Sequence, residues 1–139
     1  MLIPDFTRYS LALFKGESMI HSSTGGGLRP LWEALEMFRG KSGLVLHDKV
    51  TGLAAARLIV HSGIIVEVFT MVASLSAYQF LEKNHVAITA FDVAANILNL
   101  DKTAVCPGEM IAMDTDDPDV FLQKIQAMLS RQSPLPAAQ

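Results

Sequence analysis

Apolar and polar positions along the chain switch between a period of two and a period near 3.6. Tyr9-Ser10-Leu11-Ala12-Leu13-Phe14 is a short apolar run, Lys15-Gly16-Glu17 is a turn signal, and Ser18-Met19-Ile20-His21 resumes extended character. Together they predict a β-hairpin. After a loop at 22–27, Pro30 opens a helix to about Phe38, with Leu31, Leu35 and Phe38 at helical spacing and Gly40 closing it. Gly43 to His47 reads as a buried strand. Asp48 is positioned to cap a helix over Lys49 to about Val60, ended by Gly63. Ile64 to Thr70 is a β-branched strand, and Ser74 to Lys83 an amphipathic helix with Leu75, Tyr78 and Leu81 on one face. Val86 to Phe91 is another strand. An irregular connection precedes a short helix at about Pro107 to Met113. Asp117 and Pro118 then open a last helix, whose stripe is Phe121, Ile125, Met128 and Leu129.

The order is therefore ββαβαβαβ(α)α, an α/β pattern in which strands alternate with helices. Such alternation implies parallel crossovers and a sheet covered on both faces. Ligands of such sheets sit beyond the carboxyl ends of the strands, which directs attention to the turns at 22–28, 47–52, 70–76 and 104–110. One domain over residues 9–130 is expected, with residues 1–8 as an N-terminal arm and 131–139 as a disordered tail ending in Pro134-Leu135-Pro136-Ala137-Ala138-Gln139.

Composition sharpens this picture at three points. Half of the 139 residues are apolar and 18% are charged, a lean supply of charge for a free surface, so a homo-oligomer is expected. The net charge of −3, without a Lys/Arg cluster, argues against nucleic acid as a partner. The single cysteine, Cys106, cannot form an internal disulfide, and no secretory leader or membrane-spanning run is visible. A cytoplasmic protein with no membrane partner is the expectation.

Four segments carry candidate chemistry. Thr24-Gly25-Gly26-Gly27 opens a helix and could offer backbone N–H groups to an anion. It lacks the Gly-Lys-Ser/Thr of a P-loop, and the alternative is a plain linker. His47-Asp48-Lys49-Val50-Thr51-Gly52 combines two local costs. Lys49 in a first helical turn opposes the helix dipole by roughly 0.3–1 kcal/mol, and Gly52 inside a helix costs about 1 kcal/mol relative to Ala. Such a pairing suggests a binding site or a close contact. Cys106-Pro107-Gly108-Glu109 places a thiol at a helix start, with Glu109 spaced to accept N–H groups as in a capping box; a buried, inert cysteine is the alternative. Asp114, Asp116, Asp117 and Asp119, four carboxylates in six residues, could bind a hard cation but lack EF-hand spacing, and capping and first-turn charge explain Asp117 and Asp119. Of the histidines, His21, His47, His61 and His85, none is paired at metal-binding spacing. No metal or cofactor is read from the chain.

Gly-Gly-Leu-Arg-Pro-Leu at 26–31, Asp-Lys-Val-Thr-Gly at 48–52 followed by Ala54-Ala55-Ala56, Cys-Pro-Gly-Glu at 106–109 and Asp-Asp-Pro at 116–118 resemble a small uncharacterised prokaryotic family. That family is a domain of unknown function placed in the cytidine deaminase-like superfold. The resemblance runs from about Tyr9 to Leu129. It implies a three-layer α/β/α sandwich with a mixed five-stranded sheet, and no established activity. Zinc deaminases of the superfold carry a His or Cys followed by Ala-Glu at one helix start and Pro-Cys-x-x-Cys at the next. By element order these would fall near 24–29 and 48–52, where this chain has Thr-Gly-Gly-Gly-Leu-Arg and Asp-Lys-Val-Thr-Gly, so a zinc deaminase is not expected. Leu53 stands where the family pattern suggests a basic residue, and Gly108 where it suggests a bulkier one.

Three readings follow. In the first, a small anionic or nucleotide-like ligand binds at the strand ends, held by Thr24, Gly25, Gly26, Gly27, His47 and Gly52, with Asp48, Lys49, Cys106 and Glu109 as candidate catalytic groups. In the second, the protein is a non-catalytic oligomeric interaction module. In the third, it is a cysteine-dependent enzyme: Cys106 is the nucleophile, Lys49 or His47 lowers its pKa, and Asp48 orients the partner.

Overall fold

The alternation in Leu11-Ala12-Leu13-Phe14 separates two sides of a sheet. Leu11 and Leu13 join the main core, whereas Ala12 and Phe14 join a second, smaller cluster. In the computed structural model, which describes residues 2–95 and 106–132, this run is β1, Leu11–Lys15. It turns through Gly16 into β2, Ser18–Ser23. Then follow α1 (Arg29–Met37), β3 (Leu44–Thr51), α2 (Leu53–Ser62), β4 (Ile65–Ser74), α3 (Leu75–Lys83), β5 (Ala87–Ala94), α4 (Pro107–Asp114) and α5 (Pro118–Arg131). The expected connection at 96–105 and the tail at 133–139 lie outside the described residues.

The five strands form one mixed sheet in the order β2-β1-β3-β4-β5. β1 is antiparallel to both β2 and β3, and β3, β4 and β5 are parallel. The crossovers through α1, α2 and α3 all step the same way along the sheet. Right-handed crossovers therefore place all three helices on one face. There α1 packs on β1, α2 on β3 and β4, and α3 on β4 and β5, while α4 packs on α2 and α5 on α4. Residues of all five helices share a core with Leu44, Leu46 and Val68.

The mixed five-stranded sheet is as expected for a three-layer α/β/α sandwich, but the two faces are covered differently. Opposite the helices, the N-terminal segment rather than a helix lies on the sheet, through Leu2, Phe6 and Tyr9 against Phe14 and Val45. His47 is the polar member of this side, 1% exposed. The Phe14, Phe69 and Tyr9 rings stand at 4.4, 5.3 and 6.0 Å from its own. The Tyr9 hydroxyl accepts the Asp5 N–H at 3.1 Å and meets His47 Nδ1 at 2.7 Å.

Arginines tie the outer helices down. Arg29 donates to the Leu129 and Gln132 carbonyls at the end of α5. Arg57 on α2 donates to the carbonyls of Ala112, Thr115 and Asp116 and lies over the Phe121 ring at 4.0 Å. It satisfies the carboxyl end of α4 and stacks on α5 with one side chain. Arg57→Ala is expected to cost about 2–4 kcal/mol, because orphaned carbonyls and a lost cation–π contact add to lost packing. Denaturant unfolding at neutral pH measures this, and a cost under ~1 kcal/mol would show that α4 and α5 are held by other contacts.

Candidate functional site

The carboxyl end of β3 is where the sequence reading needs most correction. Asp48 and Lys49 were expected to cap and open a helix. They lie instead within β3, which runs on to Thr51 because Asp48, Val50 and Thr51 pair with Thr70, Val72 and Ala73 of β4. Lys49 therefore opposes no helix dipole. It is exposed at the sheet's end, and its N–H donates to the Ser10 carbonyl at 2.9 Å.

This end of the sheet meets the glycine loop. Gly25, Gly26 and Gly27 line a hollow of about 120 Å³ together with Ser10, Asp48 and Lys49. Thr24 belongs to the wall of a neighbouring hollow, which also includes Lys49. The loop is held by Ser10 Oγ, which donates to the Gly25 carbonyl at 2.5 Å, and by the Gly25 N–H, which donates to Ser23 Oγ at 3.1 Å. Gly25 therefore uses its N–H within the loop. The expected N–H donors for an anion reduce to Gly26 and Gly27. Gly27 has φ +71°, a conformation that the absence of a Cβ permits.

Asp48 is the electrostatic focus of the hollow. By the strand's period of two it shares the side of Leu44 and Leu46, and His47 takes the opposite side. Desolvation raises the Asp48 carboxyl to about pH 7, although hydrogen bonds from the Lys49 N–H and from Thr51 pull it down. A carboxyl that titrates near neutrality can accept a proton or give one up at physiological pH.

The remaining candidates lie elsewhere. Gly52 is the residue before α2, with an extended backbone and no side-chain cap of its own. The cap comes from Glu109 on α4. Its carboxylate accepts the Leu53 N–H and the Ala54 N–H, each at 2.7 Å. Glu109 therefore does not close a capping box on its own helix; it caps another. A Cβ on Gly52 would stand 2.5 Å from the Glu109 carboxylate, so glycine is required here by a close approach and not by a ligand. Gly108 differs: a Cβ there would meet Met128, Ala54 and Leu28 at 3.6 to 3.7 Å, ordinary contact, so no close approach requires glycine.

Cys106 is a half-buried free thiol before α4 and makes no cap hydrogen bond. Neither it nor Glu109 is among the lining residues of the two hollows. Asp48 and Lys49 share the wall of one hollow, whereas the Glu109 carboxylate meets Gly52, just past the end of the same strand, and Cys106 precedes α4. His47, expected among the ligand contacts, is walled in by rings on the opposite side of the sheet. Desolvation lowers its imidazole to about pH 4, which keeps it neutral near pH 7. In the acidic cluster, Asp117 caps α5 through the Asp119 and Val120 N–H groups, as expected. Among the described residues, no three His, Cys, Asp or Glu side chains are grouped to hold a metal ion.

Comparison with known proteins places this geometry in a family. Residues 5–129 match the model of a domain of unknown function (DUF1893). The chain belongs to the DUF1893 family. Its fold is similar to that of the solved DUF1893 family protein TM1506 from Thermotoga maritima, at a TM-score of 0.79 and 23% identity, over 88% of this chain and 82% of that one. No curated protein matches the chain. Several motif residues of this DUF1893 chain have structural work: Arg29 ties α5, Gly52 and Glu109 join α2 to α4, and Asp117 caps α5. Gly26, Gly27, Pro30, Asp48, Lys49 and Val50 are the motif residues that line the hollow. The sequence reading missed Arg57, which bridges three elements, and Arg8, which lines the second hollow. Local periodicity carries no signal for either, since each acts on residues distant in the chain.

Proposed function

We propose that this DUF1893 protein binds a small anionic or nucleotide-like ligand at the carboxyl end of β3, on a cytidine deaminase-like fold that works without zinc. The observation that carries the reading is the convergence of Gly25, Gly26, Gly27, Asp48 and Lys49 on one hollow, from segments more than 20 residues apart in the chain. Lys49 supplies positive charge, the loop supplies N–H donors, and Asp48 supplies a group that exchanges protons near neutrality. The strand order, with an antiparallel hairpin beside three parallel strands, supports the fold assignment. So does the position of the hollow beyond a strand's carboxyl end. A single cysteine supports a cytoplasmic setting, and among the described residues no helix is long and apolar enough to cross a membrane.

Calorimetric titration with nucleoside monophosphates and sugar phosphates tests the reading. Binding is expected from at least one of them, weakened about tenfold or more by Lys49→Ala. Silence across the panel, or a Lys49→Ala protein that binds like the wild type, would overturn it.

A second reading, a homo-oligomeric interaction module, draws on a different observation. Among the described residues β5 is an edge strand, with Phe91 60% and Val93 43% exposed, beside Met71 on β4. Exposed apolar edges invite pairing with another chain. Native mass spectrometry separates the two readings: a bare oligomer favours this one, and retained small-molecule mass favours the first. Cys106 is not among the residues that line either hollow, so no observation favours the cysteine-enzyme reading.

A further inference from the structure

The hollow of the proposed ligand site has a neighbour. A space of about 190 Å³ is lined by Phe6, Arg8, Tyr9, Ser10, Thr24 and Lys49. Ser10 and Lys49 belong to both walls. This divide is fixed by the Lys49 N–H on the Ser10 carbonyl and by Ser10 Oγ on the Gly25 carbonyl. The two spaces differ in chemistry. One holds the carboxyl of Asp48 and the glycine loop, and the other holds the cations of Arg8 and Lys49.

Arg8 comes from the N-terminal segment, which is anchored immediately after it. Tyr9 is 7% exposed, and its hydroxyl meets buried His47 at 2.7 Å. The Asp5 N–H bonds to the same hydroxyl, Phe6 packs edge-on to the Tyr9 ring, and the Arg8 N–H closes a turn on the Asp5 carbonyl at 3.1 Å. The neighbouring acid, Asp5, accepts from the Thr7 hydroxyl at 2.5 Å and also feels the charge of Arg8, both of which hold its carboxyl below the ordinary value. The backbone that carries Arg8 is therefore held in place beside Lys49 before any ligand arrives, which reduces the ordering cost of binding.

We infer that Arg8 is the second cation of this site and that the ligand is a small phosphate monoester, its phosphate seated between Arg8 and Lys49 and its organic body, bearing hydroxyl or amino groups, reaching Asp48 and the glycine loop. The inference rests on the ligand reading above and adds the residue and the ligand class. Charge decides for phosphate over carboxylate. A monoester carries about −1.5 to −2 at neutral pH, which two cations match. An arginine fork adds bidentate hydrogen bonding that a lysine cannot. Size decides against a di- or triphosphate. Each space is smaller than the roughly 300–1,000 Å³ of common small-molecule sites, so one takes the phosphate and the other a body of about one sugar ring.

The test is a titration of isotope-labelled protein followed by amide NMR shifts, with ribose 5-phosphate, inorganic phosphate and ribose as probes. Ribose 5-phosphate is expected to shift residues 8–10, 24–27 and 48–50, to bind more tightly than inorganic phosphate, and to leave ribose without effect at the same concentrations. Arg8→Ala is expected to weaken ribose 5-phosphate at least tenfold with the rest of the spectrum intact, since its side chain is exposed and removing it leaves the core unchanged. Arg8→Lys recovers part of the loss. Shifts at 25–27 and 48–50 with an Arg8→Ala protein that titrates like the wild type would overturn the role of Arg8 while leaving the ligand reading standing. Ribose binding as well as its phosphate would overturn the ligand class. Silence from all three probes at both hollows would overturn the inference, and silence from the wider panel above would remove the reading beneath it.

Discussion

Glu109→Ala is expected to lower stability by about 3–4 kcal/mol, roughly 10 °C in Tm. The side chain is 6% exposed, and both of its oxygens are committed to the first amides of α2. Removal leaves two enclosed N–H groups without acceptors and withdraws a negative charge from a helix N-terminus. Gly52→Ala is expected to do similar damage by another route. Its backbone, φ −93°, suits any residue, so the cost is not conformational. The new Cβ collides with the carboxylate at 2.5 Å and pushes it off α2. The two substitutions therefore couple. In a Glu109→Ala background, Gly52→Ala meets no carboxylate and costs well under ~1 kcal/mol. A double-mutant cycle by chemical denaturation measures the coupling, expected at about 2 kcal/mol or more. Strictly additive losses would mean that Gly52 and Glu109 serve separate purposes.

At pH 8, Asp48→Asn should make the protein more stable, by about 1–3 kcal/mol, while abolishing ligand binding. The sign follows from proton linkage. Asp48 titrates at about 7 in the fold against 3.8 for a free side chain, so the folded state favours its neutral form. Its contribution is fully present below pH 3.8 and is lost as pH rises through 7. His47 behaves oppositely. Its folded value near 4, against an ordinary 6.5, leaves its contribution intact above 6.5, and this is lost as pH falls toward 4. Between about pH 4 and 6.5 the unfolded chain carries a charged histidine beside a charged aspartate, and the folded chain carries both neutral. The two count the same number of protons, so their slopes cancel. Stability attributable to this pair should be flat there in the wild type. Asp48→Asn removes one slope and leaves stability rising with pH by about 1.4 kcal/mol per unit over that window. His47→Gln leaves the opposite slope. Urea unfolding of the three proteins from pH 4 to 8 checks this, and parallel pH profiles would show that neither residue titrates away from its ordinary value.

A carboxylate held in the fold at such a cost suits a site retained for binding rather than for stability. In the proposed site a hydroxyl or amine of the ligand would add a partner for Asp48 to those it already has in the Lys49 N–H and Thr51. Lys49 and Arg8 are exposed and contribute little to folding, so their substitution should report on binding with little change in stability.

The order and type of every element among the described residues could be read from the chain, because the signals for them are local. Ser74 and Asp117 cap their helices within three residues of themselves, Pro30 and Pro118 open helices, and Gly16 turns the hairpin. Right-handed crossovers then set which face the helices cover. Three matters were decided only by tertiary structure. The carboxyl ends of the parallel strands were read too short: the polar residues at 48–51 resemble a turn and cap, but pairing with residues 70–73 holds them in the sheet. Glu109 has the spacing to cap its own helix and instead caps one that begins 56 residues earlier, where the unpaired amides of α2 lie within its reach. Arg8 shows no local pattern at all, and it lines a hollow together with Lys49 because the segment that carries it is anchored by Tyr9 against His47. Periodicity and capping act over a few residues, whereas ladder pairing, capping in trans and the meeting of two cations depend on where distant segments come to rest.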